Sequence, residues 1–372
     1  MRKHWLDNLR WVTVLLVLLY HVFYYYNNKG VFGGIGGFGD GPQYQDAIMY
    51  ILYPWFMPLL FLLAGISARY ALEKHSGSEW FGARTRKLLV PGTLGLLALQ
   101  WIVGRFNTHV VIEAGQAPVD VLAAVPMPAK YFLWAFSGIG PLWFVQVLWL
   151  LSLLLLLIRA LDCKDKLWKF CGKAGMVVII LLGVLYWAGE HTLIRDPRAG
   201  TLDGLWNLYK PLFYVIPFLL GWFVFSHEEV QEKLKKAWIP LLAAAVVSGI
   251  VLVVTTFGQD NTLPPYLCSP LNNLYGWLMC LAMMAVFMAR FDRTGDFAAY
   301  MSRSSYGLYI VHYLVIASLG SMLKFYTQLP PVAIYLILGV AVFSLSPLLY
   351  ELIRRIPVIR WCVFGERRRN KA

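Results

Sequence analysis

Residues 6–26 read LDNLRWVTVLLVLLYHVFYYY. Between Arg10 and His21 the stretch is apolar apart from Thr13 and the Tyr20 hydroxyl. A helix of about 20 such residues crosses a hydrocarbon core of about 30 Å. A basic start, Arg2 and Lys3, precedes the run, but no small-x-small cleavage site follows it; it ends in three tyrosines and Asn27. It therefore reads as a retained membrane span and not as a cleaved signal peptide.

Nine further runs of the same kind follow, at roughly 47–72, 87–106, 141–158, 174–188, 210–225, 239–257, 271–289, 304–323 and 332–353. Composition agrees with this reading. Of 372 residues, 59% are hydrophobic and 14% charged, whereas a soluble domain is about a quarter charged. Disorder is excluded too, because 16% of the residues are aromatic and disordered chains are polar. The fold class predicted is all-α: a polytopic integral membrane protein of about ten transmembrane helices. The whole chain, 1–372, reads as a single transmembrane domain with no separate soluble domain.

The net charge of +13, from 33 Lys+Arg against 20 Asp+Glu, needs a cause. Lys and Arg are retained in cytoplasmic loops. If the N-terminus is inside and the spans alternate, only Lys29, Arg105, Lys130, Arg195, Arg198, Lys210 and Lys324 lie outside. The other 26 of the 33 lie inside, which predicts N-in and C-in. Nucleic acid is not needed to explain the charge. The five cysteines, at 163, 171, 268, 280 and 362, form no CxxC, so no metal or redox site is expected.

The outer loops are of three kinds. The first is Gly-rich, and its GIGGFG at 34–39 is a literal G-x-G-x-x-G. Without a strand before it and a helix opening on it, the match does not signify dinucleotide binding, and it reads as a flexible tether. The longest loop, about 107–140, holds Pro118, Pro126 and Pro128. The loop at about 189–209 carries Glu190, His191, Arg195, Asp196, Arg198 and Asp203.

Ionisable groups inside a bilayer are costly and face a cavity or a partner. The first span places Arg10 and His21 eleven residues apart. Eleven steps of about 100° return to within about 20° of one face, about 16 Å apart along the axis. Asp7 lies three residues before Arg10 and is placed to pair with it. In the ninth span Ser305, Tyr309 and His312 are spaced by four and three and share a stripe. That stripe brings a second imidazole into the membrane, where it is either a polar link between helices or part of a site. No Asp or Glu is expected deep in any span. Histidine suits proton transfer because its unperturbed pKa is near neutral.

Arg84, Arg86 and Lys87 put three cations within four residues, at what reads as the N-terminus of the third helix. Such an end attracts phosphate, although positive-inside topology also explains the charges. The fourth span opens Gly140-Pro141-Leu142-Trp143-Phe144; Trp143 is a packing or pocket residue, and Gln146 is a buried polar group that needs a partner.

These segments, in this order, resemble the acyltransferase type 3 family of bacterial membrane proteins. The first helix matches that family's Arg, ten residues, then His. PLLFLLAGIS (58–67), RTRKLLVP (84–91), PLWFVQVLWLL (141–151) and SYGLYIVH (305–312) are similar to its later segments. The opening LDNLR and the GPLWF segment most resemble the branch that includes the succinyl-transferring protein of periplasmic glucan synthesis. Two positions depart from common members: Pro141 stands where many have His, and the basic segment is Arg-x-Arg-Lys.

The resemblance implies an enzyme of the cell (inner or plasma) membrane. It would move an acyl group, acetyl or succinyl, from cytoplasmic acyl-CoA to a hydroxyl of an envelope glycan. On that reading His21 is the base or acyl relay, with Arg10 and Asp7 beside it. Arg84, Arg86 and Lys87 meet the donor phosphates. Ser305, Tyr309, His312, Trp143 and Gln146 line the pocket, and outer aromatics such as Trp206 and Tyr209 offer sugar platforms. Acyl-CoA, the glycan acceptor and membrane lipids are the expected partners, with no metal. The alternative is a carrier or flippase for a lipid or glycan, against which stand the lack of deep acids and of visible inverted repeats.

Overall fold

A computed structural model of the chain describes residues 3–28, 34–39, 41, 43–113, 124–162, 164–193 and 210–366. Trp206, Tyr209, Arg195, Asp196, Arg198, Asp203 and Pro118 lie outside them. The described residues are mostly helical and include no strand. Nine helical stretches among them are long and apolar enough to cross a membrane. A tenth, Pro211–Phe225, qualifies only jointly with Glu228–Lys236, toward which the chain bends by 98°. The bend has a sequence cause. Glu228–Lys236 is polar, with two acids in its first turn and three lysines in its last, as the helix dipole favours, and it buries only Val230, Gln231 and Leu234.

The chain divides into two compact units, and helices α1 (His4–Tyr24), α4 (Gly77–Arg84), α7 (Trp143–Leu161) and α15 (Asp296–Tyr326) contribute to both. The first unit comprises Met1–Leu16, Ala47–Phe81 and Leu150–Ser302. It holds α2 (Ala47–Leu52), α3 (Phe56–Leu72), α8 (Lys166–Cys171), α9 (Met176–Leu193), α10 (Pro211–Leu220), α11 (Glu228–Lys236), α12 (Trp238–Thr256), α13 (Pro264–Leu267) and α14 (Pro270–Arg290).

Lipid tails are as apolar as leucine, so helices in a membrane associate through close packing and hydrogen bonds. The α3–α10 contact shows this. A Cβ at Gly65 would stand 2.0 Å from the Phe218 carbonyl oxygen, and one at Gly221 would stand 2.1 Å from that of Leu62. Only glycine lets these backbones meet. Beside them Phe61 stacks on Tyr214 at 4.3 Å.

A second anchor is Arg69. Its Nη1 and Nη2 donate to Asp165 at 2.8 and 3.2 Å, and its guanidinium lies 4.0 Å over the Trp168 ring. The hydrogen bonds from Arg69 hold the Asp165 carboxyl below the usual carboxylate range. This ties the α7–α8 turn to α3.

The second unit comprises Val17–Asp46, Gly82–Trp149 and Arg303–Ala372. It contains α5 (Trp101–Glu113), α6 (Met127–Ser137), α16 (Pro331–Arg355) and α17 (Pro357–Phe364), with π-helical turns over Thr85–Leu89 and Pro91–Gln100.

Several expected boundaries move. The loop expected at 107–140 is partly helical, through α5 and α6. Helix α9 runs on to Leu193 and carries Glu190 inward to 5% exposure, so Glu190 is no loop residue. GIGGFG is not a loose tether. Lys324 Nζ donates to the carbonyls of Ile35, Gly36 and Gly37 at 2.8, 2.7 and 3.0 Å, and Gln43 Oε1 accepts from Phe38 N at 3.1 Å. A glycine-rich backbone outside a ladder must find partners for its carbonyls, and one lysine supplies three.

Candidate active site

In the second unit α1 and α15 bring two histidines into contact. His312 Nε2 lies 3.0 Å from His21 Nδ1, and the ring centroids are 5.0 Å apart. The residues are 291 positions apart in the chain. His312 is fully buried, whereas His21 is half-buried.

The hydrogen bonds order the protons. His312 Nδ1 lies 2.7 Å from the Tyr309 carbonyl oxygen, one turn back on α15. A carbonyl only accepts, so His312 Nδ1 carries the hydrogen. In a neutral ring Nε2 is then an acceptor, and it faces His21 Nδ1, which must donate. A neutral His21 with its proton on Nδ1 keeps a lone pair on Nε2. The Tyr309 carbonyl–His312–His21 chain thus ties the less buried ring to α15, while a backbone hydrogen bond at Val17 holds that ring to its own helix. Two imidazolium rings would set N–H against N–H across the 3.0 Å contact, so the pair is not doubly charged.

Aromatic rings fix His21 further. Tyr313 meets it edge-on at 5.2 Å, as does Tyr24 at 5.9 Å, and Tyr20 lies at 5.4 Å. Tyr309 contributes indirectly: its hydroxyl donates to the Pro141 carbonyl, locking the start of α7 to α15. Phe144 packs on the Tyr309 ring at 5.7 Å. Ser305, though buried, lies seven residues and about 10 Å below His312 along the helix. The stripe is real, but only its upper two members serve the histidine pair.

Arg10 and Asp7 lie in the first unit, on the earlier part of α1. Arg10 Nη1 donates to Asp7 Oδ1 at 3.2 Å, the pairing that the i,i+3 spacing predicts. Its Nη2 donates to Ser67 Oγ at 2.6 Å, and Ser67 in turn donates to the Leu63 carbonyl at 2.6 Å. Sequence reasoning missed Ser67 as a partner, although it closes the PLLFLLAGIS stretch.

The basic cluster is placed differently from the expectation. Arg84, Arg86 and Lys87 do not open a helix. The helical run begins at Gly77 and continues to Asn107. It starts at a capping box: Ser76 Oγ accepts from Glu79 N at 3.3 Å, and Glu79 Oε2 accepts from Ser76 N at 3.0 Å. The backbone amides at 84–87 are thus spent in helical bonding, and attraction for an anion there rests on side-chain charge alone. Lys87 Nζ lies 3.6 Å from Glu366, whose other oxygen lies 3.9 Å from Arg354. The Tyr306 hydroxyl donates to the Lys87 carbonyl. Gly365, with φ of +62°, lets the chain pass the Arg86 carbonyl where a Cβ would stand 2.0 Å from it.

Gln146 finds the partner it needed: its Nε2 donates to the Gly92 carbonyl at 2.8 Å. Trp143 is half-buried, with its ring 6.3 Å from that of Phe144. Both brace the start of α7.

Fold and site together define a multi-pass membrane protein that carries an intramembrane histidine pair. The family model of the acyltransferase domain, acyltransferase type 3, matches residues 3–351, and the chain belongs to that family of membrane acyltransferases. Neither the curated proteins nor the solved structures yield a significant match.

Proposed function

We propose that the protein transfers an acyl group, acetyl or succinyl, from cytoplasmic acyl-CoA to a hydroxyl of an envelope carbohydrate at the inner membrane, in an N-in, C-in topology. The observation that supports the reading is the His21–His312 contact, with His312 Nδ1 on the Tyr309 carbonyl. It gives one imidazole a lone pair and a support, the arrangement a general base needs.

In the proposed step, His21 Nε2 takes the proton of the acceptor hydroxyl as that oxygen bonds to the thioester carbonyl carbon. Collapse of the tetrahedral adduct breaks the carbon–sulfur bond. The departing thiolate takes the proton from His21, so the products are an ester and free CoA. His312 holds the Nδ1–H of His21 and stabilises the transient imidazolium. Arg84, Arg86 and Lys87 meet the donor's phosphates through side-chain charge. Arg10, oriented by Asp7 and Ser67, holds the donor from the same face of α1 that carries His21.

The test is acetyl-CoA and succinyl-CoA binding and turnover by detergent-purified protein, comparing wild type, His21→Ala and Arg84→Ala/Arg86→Ala. The wild type binds donor, the double variant binds weakly, and His21→Ala binds without turnover. A correctly folded His21→Ala protein that transfers at the normal rate would sink the proposal.

A further inference from the structure

The first unit holds a second buried polar group that the histidine chemistry does not use. Glu190, in the last turn of α9, and Lys210, just before α10, pair at 3.6 Å with side chains 6% and 7% exposed. The Lys210 ammonium lies 5.1 Å from the Tyr53 ring centroid. With Asn272 and the rings of Tyr186 and Tyr214, these residues line a small cavity. Its volume is about 10 Å³, room for about one water-sized group.

Asn272 makes the cavity chemically specific. Its Nδ2 donates to the Leu267 carbonyl at 3.0 Å, which fixes which way round the amide lies. Its Oδ1 therefore points away from that carbonyl, and at 2% residue exposure it finds no partner among the described residues. A buried acceptor without a donor is costly to the fold. Lys210 adds a second cost, because its φ of +41° is a left-handed conformation that a side chain other than glycine adopts only under strain. The buried Glu190–Lys210 pair adds a third, because both ions give up their hydration. Three costly features converge on one cavity, and strained or unsatisfied groups gather where ligands bind.

The lining also selects the ligand's chemistry. An anion would face Glu190 and bring no proton to Asn272 Oδ1. A cation would face Lys210. A neutral hydroxyl meets every demand: it donates to Asn272 Oδ1 and accepts from Lys210, while the tyrosine rings offer apolar walls. On the N-in topology this end of α9 and α14 is the outer one. We infer that the Glu190–Lys210–Asn272 cavity is a subsite that receives one non-reacting hydroxyl of a neutral polyol. Resting on the proposed acyl transfer to a carbohydrate, the inference assigns this subsite to the acceptor.

The experiment measures equilibrium binding of glucose and of maltose to the full-length protein in detergent, alongside acetyl-CoA binding as a separate titration. The variants are Asn272→Leu, and Glu190→Gln/Lys210→Met as a pair that removes both charges together. Since Oδ1 has no donor among the described residues, Asn272→Leu loses only the side-chain bond to Leu267 and is expected to fold. Both variants should bind sugar about tenfold more weakly, as a site built for a hydroxyl does when its partner is removed. Their acetyl-CoA affinity should match wild type. In turnover the loss should fall on the sugar KM, with kcat held. Sugar binding that is equal in wild type and both variants, or absent from wild type, overturns the inference and leaves the cavity as the seat of an ordered water only. Sugar binding that responds to the variants in a protein with no acetyl-CoA affinity upholds the subsite and removes the donor reading instead.

Discussion

Replacing His312 by Phe is the sharpest probe of the histidine relay. Phe fills similar space but cannot accept from His21 Nδ1–H, so the 3.0 Å contact is lost and an imidazolium formed at His21 loses its buried acceptor. A hydrogen bond to a group that becomes charged contributes about 1.5–3 kcal/mol, and each 1.36 kcal/mol is about tenfold in rate. The kcat for acyl transfer should therefore fall about 10- to 150-fold. Acetyl-CoA affinity should hold, because His312 is fully buried and reaches the reaction only through His21. His312→Gln should recover part of the rate, since its amide oxygen can accept the same proton. The double variant His21→Ala/His312→Phe should be no slower than His21→Ala, because both substitutions break one relay. The assay is CoA release by purified protein, followed chromatographically so that the protein's own thiols do not interfere. A His312→Phe enzyme that keeps wild-type kcat, or a double variant further slowed in proportion, would show that the pair is only packing.

Other outcomes follow from the same contacts. Ser67→Ala removes one acceptor of Arg10 but leaves Asp7, so acetyl-CoA affinity should weaken less than about tenfold; Asp7→Ala/Ser67→Ala should weaken it further in the same titration. Asp165→Asn should destabilise the protein by about 1 kcal/mol at neutral pH, because Arg69 loses a charged but partly solvent-screened acceptor and keeps Glu73. The Asp165 carboxyl is held low in the folded state, so this stability is present above the unfolded value of about 3.9 and lost as pH falls through the folded one. The gap in thermal midpoint between wild type and Asp165→Asn should thus close in acid. Lys324→Met removes three donors to the 35–37 carbonyls, and hydrogen exchange in 34–39 should speed by more than about tenfold at about 1 kcal/mol per bond; unchanged exchange would mean the loop holds itself.

The spans were legible because hydropathy is a local property, and the Asp7–Arg10 pair because it lies within one turn. Even the start of the helix below the basic cluster was written in the sequence, as Ser76 and Glu79 at capping-box spacing. The charges at 84–87 and Pro91 drew the boundary too late. The His21–His312 contact was not legible, since periodicity gives a face and not the helix it meets. Tyr309 shows the same limit. Its side chain is on the stripe, yet its backbone carbonyl orders the proton on His312, and its hydroxyl works elsewhere, on Pro141. Glu190 was misread because an acid beside Gly189 and His191 looks like loop. What buries it is Lys210, twenty residues on, which no local pattern announces.

A base in water-exposed enzymes is often oriented by a carboxylate, which offers a strong acceptor and a compensating charge. On the proposed reading a histidine stands in that place, and the surroundings supply the reason. A carboxylate at the His312 position would carry a full charge into a fully buried site, with no cation among the residues described in contact with the pair. Burying an unpaired charge costs far more than burying a neutral polar group. An imidazole with its own N–H satisfied by the Tyr309 carbonyl presents the needed acceptor and no charge. The exchange weakens the support, since a neutral acceptor stabilises an imidazolium less than a carboxylate does. It also means that the relay is charged only while the acceptor's proton is held. If that is the logic, His312→Asp should not improve catalysis despite its stronger acceptor. It should lower the folded yield, and any protein recovered should be slower than His312→Gln. A faster His312→Asp enzyme would mean that the site is wetter, and its electrostatics more forgiving, than the burial of His312 implies.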